Sequence, residues 1–591
     1  MRLRLVLFVG IVGFCLCSAR ADEPSVGSDD TDLARQGFAL VVNYCGKCHG
    51  KGASEGGGDL DVTEPAKFAD SGYIDAENPE ESYLWQRIAS GEMPPEGEPQ
   101  LTVHEGEILK QWIAAGAPKP ERKGRAFKSV LAVHRAILAD LQAASVRDRS
   151  HLVYFTLVHL YNHPDVSDFD LRLYRAALSK AINSLSWEPD LVIPQPIDPE
   201  ATILRVDLRK LGWNHDDWTA ILTAYPYGLT YGDVRDENLA ETAHKISQIS
   251  STRPNGELMA IRADWFVVNA TRPPLYHRLL DIPKNDDELE RTLGVRPEQN
   301  FLNDRLHRAG FAESGVSTAN RLVERHDSNI FPNGYYWKSY DFREDNAGSN
   351  LFQKPLGPEF SHNPHNEFAF EHDGGELIFS LPNGMQGYML VGADGKRIDA
   401  GPIEVVQDSK RTSGSPVVVN GISCMHCHSR GMIPFRDAVR EGVALFGDAR
   451  RKVFDIYPVQ EEMDKLVKHD SDAFADALKQ VIGPFLQVEE DKSKDLELFP
   501  EPIGAVARAY HRNVGVLEAA CELGFGDPEQ LKTAILHNGE LRRRAVAPLA
   551  AGRTIDRAFW ESKEGVMSPM QEVARLLDFG TPHVILNLDE P

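Results

Sequence analysis

Six residues at two places in the chain have a spacing that does chemistry. Cys45-Gly-Lys-Cys48-His49 and Cys424-Met-His-Cys427-His428 are both C-x-x-C-H, the pattern that attaches c-type haem. Thiols three residues apart on a helical turn can add across the two vinyl groups of one macrocycle, and the adjacent histidine then reaches the iron. Four cysteines sharing one zinc is a competing reading, but it leaves the histidine after each pair without a task. A redox dithiol is another, sharper at Cys424, where Val417–Asn420 reads as a strand leading into the motif. No βαβ pattern precedes it, and His428 again has no task. Disulfides suit an exported chain, yet the spacing favours covalent haem c, two per chain. Cys45, Cys48, Cys424 and Cys427 then attach the cofactor, and His49 and His428 ligate iron. Cys521 follows Ala519-Ala520 on an apolar helix face and reads as a buried free thiol.

A low-spin iron needs a second axial ligand, and methionine is the soft donor that raises the potential. Met93 stands in Gly91-Glu92-Met93-Pro94-Pro95, where the prolines stiffen a loop around the thioether. For the second haem the candidates are Met385 and Met389, after the turn Pro382-Asn383-Gly384. In a strand, four residues of separation put both on one side. The plain alternative is that both line a sheet core and the iron is five-coordinate or takes a histidine. Met432 is four residues beyond His428; on a continuing helix it would share that residue's face and approach from the proximal side. His362, His365 and His372 lie in one loop that could hold a metal or supply a base, although loop histidines are usually solvated. Acidic pairs such as Asp216-Asp217 and Asp286-Asp287 read as helix caps. No Ser-His-Asp, Walker or Rossmann signature stands out.

The run from Cys45-Gly-Lys-Cys48-His49 through Pro79-Glu-Glu-Ser82, Trp85, Arg87-Ile88 and Met93-Pro94-Pro95 to Trp112-Ile113-Ala-Ala-Gly-Ala117 resembles the planctomycete-type cytochrome c domain. The resemblance covers about residues 34–118. It implies a class I-like, all-α cytochrome c fold with His49 and Met93 as axial ligands. Trp85 and Arg87 would pack on the macrocycle or pair with a propionate, or serve only in helix packing. Asn183-Ser-Leu-Ser-Trp187, Ser314-Gly-Val-Ser317, Tyr336-Trp-Lys-Ser-Tyr340 and Leu381-Pro-Asn-Gly384 resemble a companion region of exported planctomycete proteins, which adds localisation but no activity.

The elements that must position these residues follow from pattern and punctuation. Arg2 and Arg4, the apolar run Leu5–Cys17 and Ala19-Arg20-Ala21 read as a cleaved export signal over 1–21, before a linker at 22–33. The run is too short to span a bilayer comfortably. A helix over Leu33–Tyr44 with Asp32 as N-cap leads to the first motif; a Gly-rich loop follows at 50–58, then helices at Pro79–Ser90 and Val103–Ala115. These make a cytochrome domain at 34–118. A linker helix is expected within 119–149, after a Pro/Lys/Arg hinge at 119–123, then a mixed, mainly helical region at 150–329 containing a helix at Leu171–Leu185. A β-rich region at 330–500, with strands at Leu377–Phe379, Met385–Val391 and Arg397–Asp399, leads into the second motif. Helices are expected at Phe435–Phe446 and Ala505–Leu523. A helical part at 501–591 contains Pro569–Leu577, with Ser568 as N-cap. The expected class is thus multidomain: an all-α cytochrome domain, then an α+β region with short strands and a helical end.

Composition bounds the function. The chain has 591 residues, 42 % hydrophobic and 26 % charged, which excludes wholesale disorder and fibrous classes. Net charge is -24, so nucleic acid is a disfavoured partner; the acidity serves solubility or suits a basic redox partner protein. The readings are an exported, periplasmic dihaem cytochrome in electron transfer, a haem-dependent oxidoreductase or peroxidase with an open second haem, or a partner-binding scaffold carrying a redox domain. The usual dihaem peroxidases resemble duplicated cytochrome domains, whereas these two motifs lie in unlike surroundings.

Overall fold

The computed structural model describes residues 28–49, 62, 72–95, 100–118, 124–250, 258–314, 317–342, 350–403, 405–408, 411–563 and 567–585. The expected signal peptide, the Gly-rich loop at 50–58 and the hinge at 119–123 lie outside them. Among the described residues, no helix is long and apolar enough to cross a membrane.

Helix and sheet are mixed, with several separate hydrophobic clusters. The first unites Phe38, Val41, Leu109, Trp112 and Ile113 from the helices Ser28–His49 and Val103–Ala114. The second of these helices starts at a reciprocal cap: Thr102 Oγ1 accepts from Glu105 N at 3.2 Å, and Glu105 Oε2 accepts from Thr102 N at 2.8 Å. Between them in sequence, the expected helix at Pro79–Ser90 is a turn of 3-10 helix, Pro79–Glu81, followed by the helix Tyr83–Ala89.

Beyond the helix Val130–Ala143 lies a four-stranded sheet in the order β2-β3-β1-β5, from β1 (Leu152–Thr156), β2 (Gln195–Pro196), β3 (Ile203–Asp207) and β5 (Ala260–Arg262). A two-stranded ribbon pairs β4 (Leu229–Thr230) with β12 (Thr581–Pro582). The helix Asp168–Asn183, capped by Ser167, is buried along most of its length. It packs on the long helix Gln460–Leu486 and on Pro502–Tyr510.

A six-stranded antiparallel meander carries the second site: β6 (His307–Ser314), β7 (Ser317–Ser328), β8 (Gly334–Asp341), β9 (Gly374–Ser380), β10 (Gln386–Gly392) and β11 (Arg397–Ile398). It begins at His307, earlier than the boundary at 330 expected from pattern alone. Every residue of β8 is buried, so the alternation of a half-exposed strand is absent and both faces are covered. The expected strand at Val417–Asn420 does not form; Val419 makes a single bridge to Ala400. The expected helix at Phe435–Phe446 is replaced by Val439–Gly442 and Gly447–Ile456. The expected helix at Ala505–Leu523 is two helices, Pro502–Tyr510 and Val516–Leu523, because Val514 pairs with Ile555 between them.

Candidate haem sites

The first motif closes the helix Ser28–His49, which places Cys45, Cys48 and His49 on its last turn. Cys45 borders the first hydrophobic cluster, and burial, then the neighbouring Cys48 thiol, pushes its thiol up to about 12. Such a group is a poor free nucleophile, unlike the low-pKa thiolate of a redox dithiol. Tyr44 donates to Glu105 at 2.9 Å and so ties this turn to the start of Val103–Ala114. Leu84, Trp85 and Ile88 pack on the same cluster, and half-buried Met93 follows the Tyr83–Ala89 helix, its N–H donating to the Arg87 carbonyl at 2.9 Å. Arg87 is paired with Glu92 at 2.6 Å, and Trp85 lies under the Lys110 ammonium.

The second motif is built differently. A short helix, Ile422–Cys427, carries Cys424 and Cys427 and ends with His428. Gly431 then turns the chain with φ +98°; any Cβ there would also meet Ser471 Cα at 2.9 Å. The turn brings the Gly431 carbonyl to 3.1 Å from His428 Nδ1. A ring nitrogen held by a carbonyl carries the proton, which leaves Nε2 as the donor available to a metal.

Cys424, Cys427 and His428 line a cavity of about 450 Å³ between the helix and one face of the meander. The strand register defines that face. Arg321 pairs with Asp341, Val323 with Ser339, Glu376 with Leu390, and Ile378 with both Trp337 and Tyr388. Across from the sheet, Val405, Val406, Val418, Met432 and Phe435 complete the lining. Arg321 is bonded to Asp341 at 2.5 Å. Glu376 Oε2 lies 3.6 Å from His428 Nε2. With no metal on Nε2, burial pushes the Glu376 carboxyl up, but the imidazolium form of His428 and the Arg321 guanidinium outweigh it and hold the group down at about 2.

Met385 and Met389 are not brought to this cavity. Met389 pairs with Leu377, the row that faces away from Glu376 and Ile378; both methionines are fully buried in the core behind the sheet. The strand and its register explain this: alternate residues face opposite ways. Met432, set aside on the assumption of a continuing helix, does line the cavity, because the helix stops at Cys427. The loop histidines do not converge: His362 is exposed, while His372 packs edge-on against Tyr340 at 5.1 Å. No group of three or more His, Cys, Asp or Glu side chains suited to a metal ion occurs among the described residues. Cys521 is buried on Val516–Leu523, its thiol pushed up to about 12 by burial. Sequence pattern does not single out Glu376, Arg321 or Asp341, because they lie on three different strands and share a face only through the pairing of β7, β8 and β9.

Residues 45–97, the first motif through Met93, match the family model of planctomycete cytochrome C. That segment is similar to the c-type cytochromes, whose cofactor is covalent haem c. Within it, the chain carries a planctomycete-type cytochrome c domain. No curated protein and no solved structure matches the chain.

The residues at the second motif fit the same group. The cavity falls in the range of about 300–1,000 Å³ that small-molecule and cofactor sites occupy. Its walls are largely apolar, both thiols lie on its border, and a histidine presents Nε2 with its other nitrogen satisfied.

Proposed function

We propose that this chain is an exported dihaem c-type cytochrome that passes single electrons to or from a partner protein. The observation that carries the reading is the cavity bordered by Cys424, Cys427 and His428 on one side and a buried sheet face on the other. Haem c supplies a one-electron ferric/ferrous couple when bound. The chain's own groups do the rest. Cys45 with Cys48, and Cys424 with Cys427, hold the macrocycles; His49 and His428 donate to iron. Met93 supplies the thioether at the first site, within a class I-like domain spanning about 34–118. The Gly431 carbonyl fixes the His428 ring, and the apolar lining keeps water away from the second centre, which tunes its potential.

Export is supported by Arg2, Arg4, the apolar run Leu5–Cys17 and Ala19-Arg20-Ala21. A second reading, a haem-dependent oxidoreductase, is favoured by one observation: Met385 and Met389, the expected distal donors, face away from the His428 cavity.

Reductive titration of the purified full chain, followed in the visible haem bands, tests the electron-transfer reading. Two one-electron equivalents per chain support it. Uptake of one electron at a single haem, or a two-electron step without a haem band, contradicts it.

A further inference from the structure

Resting on the reading of the second motif as a haem site, we propose that Glu376 is the iron-facing residue opposite His428 and supplies a carboxylate as the second axial ligand. The two ring nitrogens of His428 stand in different surroundings. His428 Nδ1 is engaged by the Gly431 carbonyl at 3.1 Å, so iron is taken by Nε2. The group standing in front of Nε2 is Glu376, with Oε2 at 3.6 Å. First-row metal bonds to imidazole nitrogen and to carboxylate oxygen are each about 2 Å long, so donors on opposite sides of one ion stand about 4 Å apart. The observed separation is within a few tenths of an ångström of that figure.

Placement on the sheet makes Glu376 a built feature of the site. It lies in the middle of β9, paired with Leu390 of β10, and its backbone N–H is held by Ser339 Oγ at 2.8 Å. The side chain is directed to the face that lines the cavity, where Arg321, already bonded to Asp341, adds positive charge nearby. With no metal present the carboxylate is hydrogen-bonded to His428 and to the Cys424 thiol; with haem bound, a ferric centre and Arg321 together would compensate its buried charge. Lys338, Asp373, Asp341 (bonded to Arg321) and Met432 also line the cavity; Met432 comes from the loop just after His428, with its N–H held by Ser471 Oγ at 3.0 Å.

The test uses the full chain and the variants Glu376→Gln, Glu376→Ala and Met432→Leu. Mass analysis of the Cys424–Cys427 peptide comes first; a peptide without haem would overturn the site reading itself, and the ligand with it. With haem attached, Glu376→Gln and Glu376→Ala are expected to change the ferric EPR signal of one haem only. They should also raise its cyanide affinity by about tenfold or more, because no internal ligand then competes, while Met432→Leu leaves both readouts in place. Haem attached with EPR and cyanide binding unchanged in both Glu376 variants would overturn the ligand assignment alone. A change confined to Met432→Leu would do the same and name Met432 instead.

Discussion

His426, between the two cysteines of the second motif, is bonded to Glu501: its Nδ1 lies 3.0 Å from Oε2. The other carboxylate oxygen takes Lys180 Nζ at 2.8 Å, and the same ammonium donates to the Met425 carbonyl at 3.2 Å. Glu501 also caps the helix Pro502–Tyr510 by accepting from Ile503 and Gly504 N–H. One buried carboxylate therefore ties two helices, Asp168–Asn183 and Pro502–Tyr510, to the turn that carries the second motif.

Breaking that tie should be costly. Glu501→Gln leaves the Lys180 ammonium buried against a neutral amide, and loss of a buried partner typically costs about 3–5 kcal/mol. Burial pushes the Glu501 carboxyl up, but Lys180 and His426 outweigh it and hold it well below its ordinary 4.5. The sign follows: the charged form contributes stability above pH 4.5, and this is lost as pH falls from there through the depressed folded value. Urea unfolding of the wild type between pH 7 and pH 3 should show this loss, and Glu501→Gln should show a smaller one. Equal acid sensitivity in both proteins would contradict the assignment.

Gly504 packs against the same His426 ring, and its N–H donates to the same Glu501 oxygen at 2.6 Å. A Cβ at this position would lie 2.1 Å from His426 Nδ1, far inside any real contact. Gly504→Ala should destabilise by about 1–3 kcal/mol, as overpacking does, and should lower haem attachment at Cys424 and Cys427 while leaving the first motif loaded. Peptide mass analysis at the two motifs checks it; equal loading at both would show that the turn tolerates the shift.

Much of this was legible before the structure, and the misses share a cause. The helix expected at Val103–Ala115 was readable from its stop at Gly116 and Pro118, and the last helix from Ser568 and Pro569, because helix ends carry local signals. The strands around Pro382-Asn383-Gly384 were readable from turn chemistry. Which face of β10 meets the motif was not, since that depends on pairing with β9. The stop at Cys427 hinges on Gly431, whose role appears only once Ser471 is packed against it. Glu376 and Glu501 act on residues 52 and 75 positions away, a separation no periodicity reveals.

Met385 and Met389 lie behind the sheet, so Met385→Leu and Met389→Leu should leave the spectra and potentials of both haems unchanged. As volume-conserving exchanges they should cost less than about 1.5 kcal/mol each. Loss of a low-spin signal in either variant would show that the register in solution differs.

Met93→Ala should remove the weak long-wavelength ferric band of thioether ligation and lower the potential of the first haem. His49→Ala should remove that site's native low-spin spectrum altogether. Survival of both features in the respective variants would place the axial ligands elsewhere.

The central claim is that both motifs carry haem. A pyridine haemochrome assay with metal analysis on the purified full chain tests it most directly. The account predicts two haems and two irons per chain, falling to one of each in Cys424→Ser/Cys427→Ser. Zinc in place of iron, or a single haem unaffected by that double substitution, would contradict it.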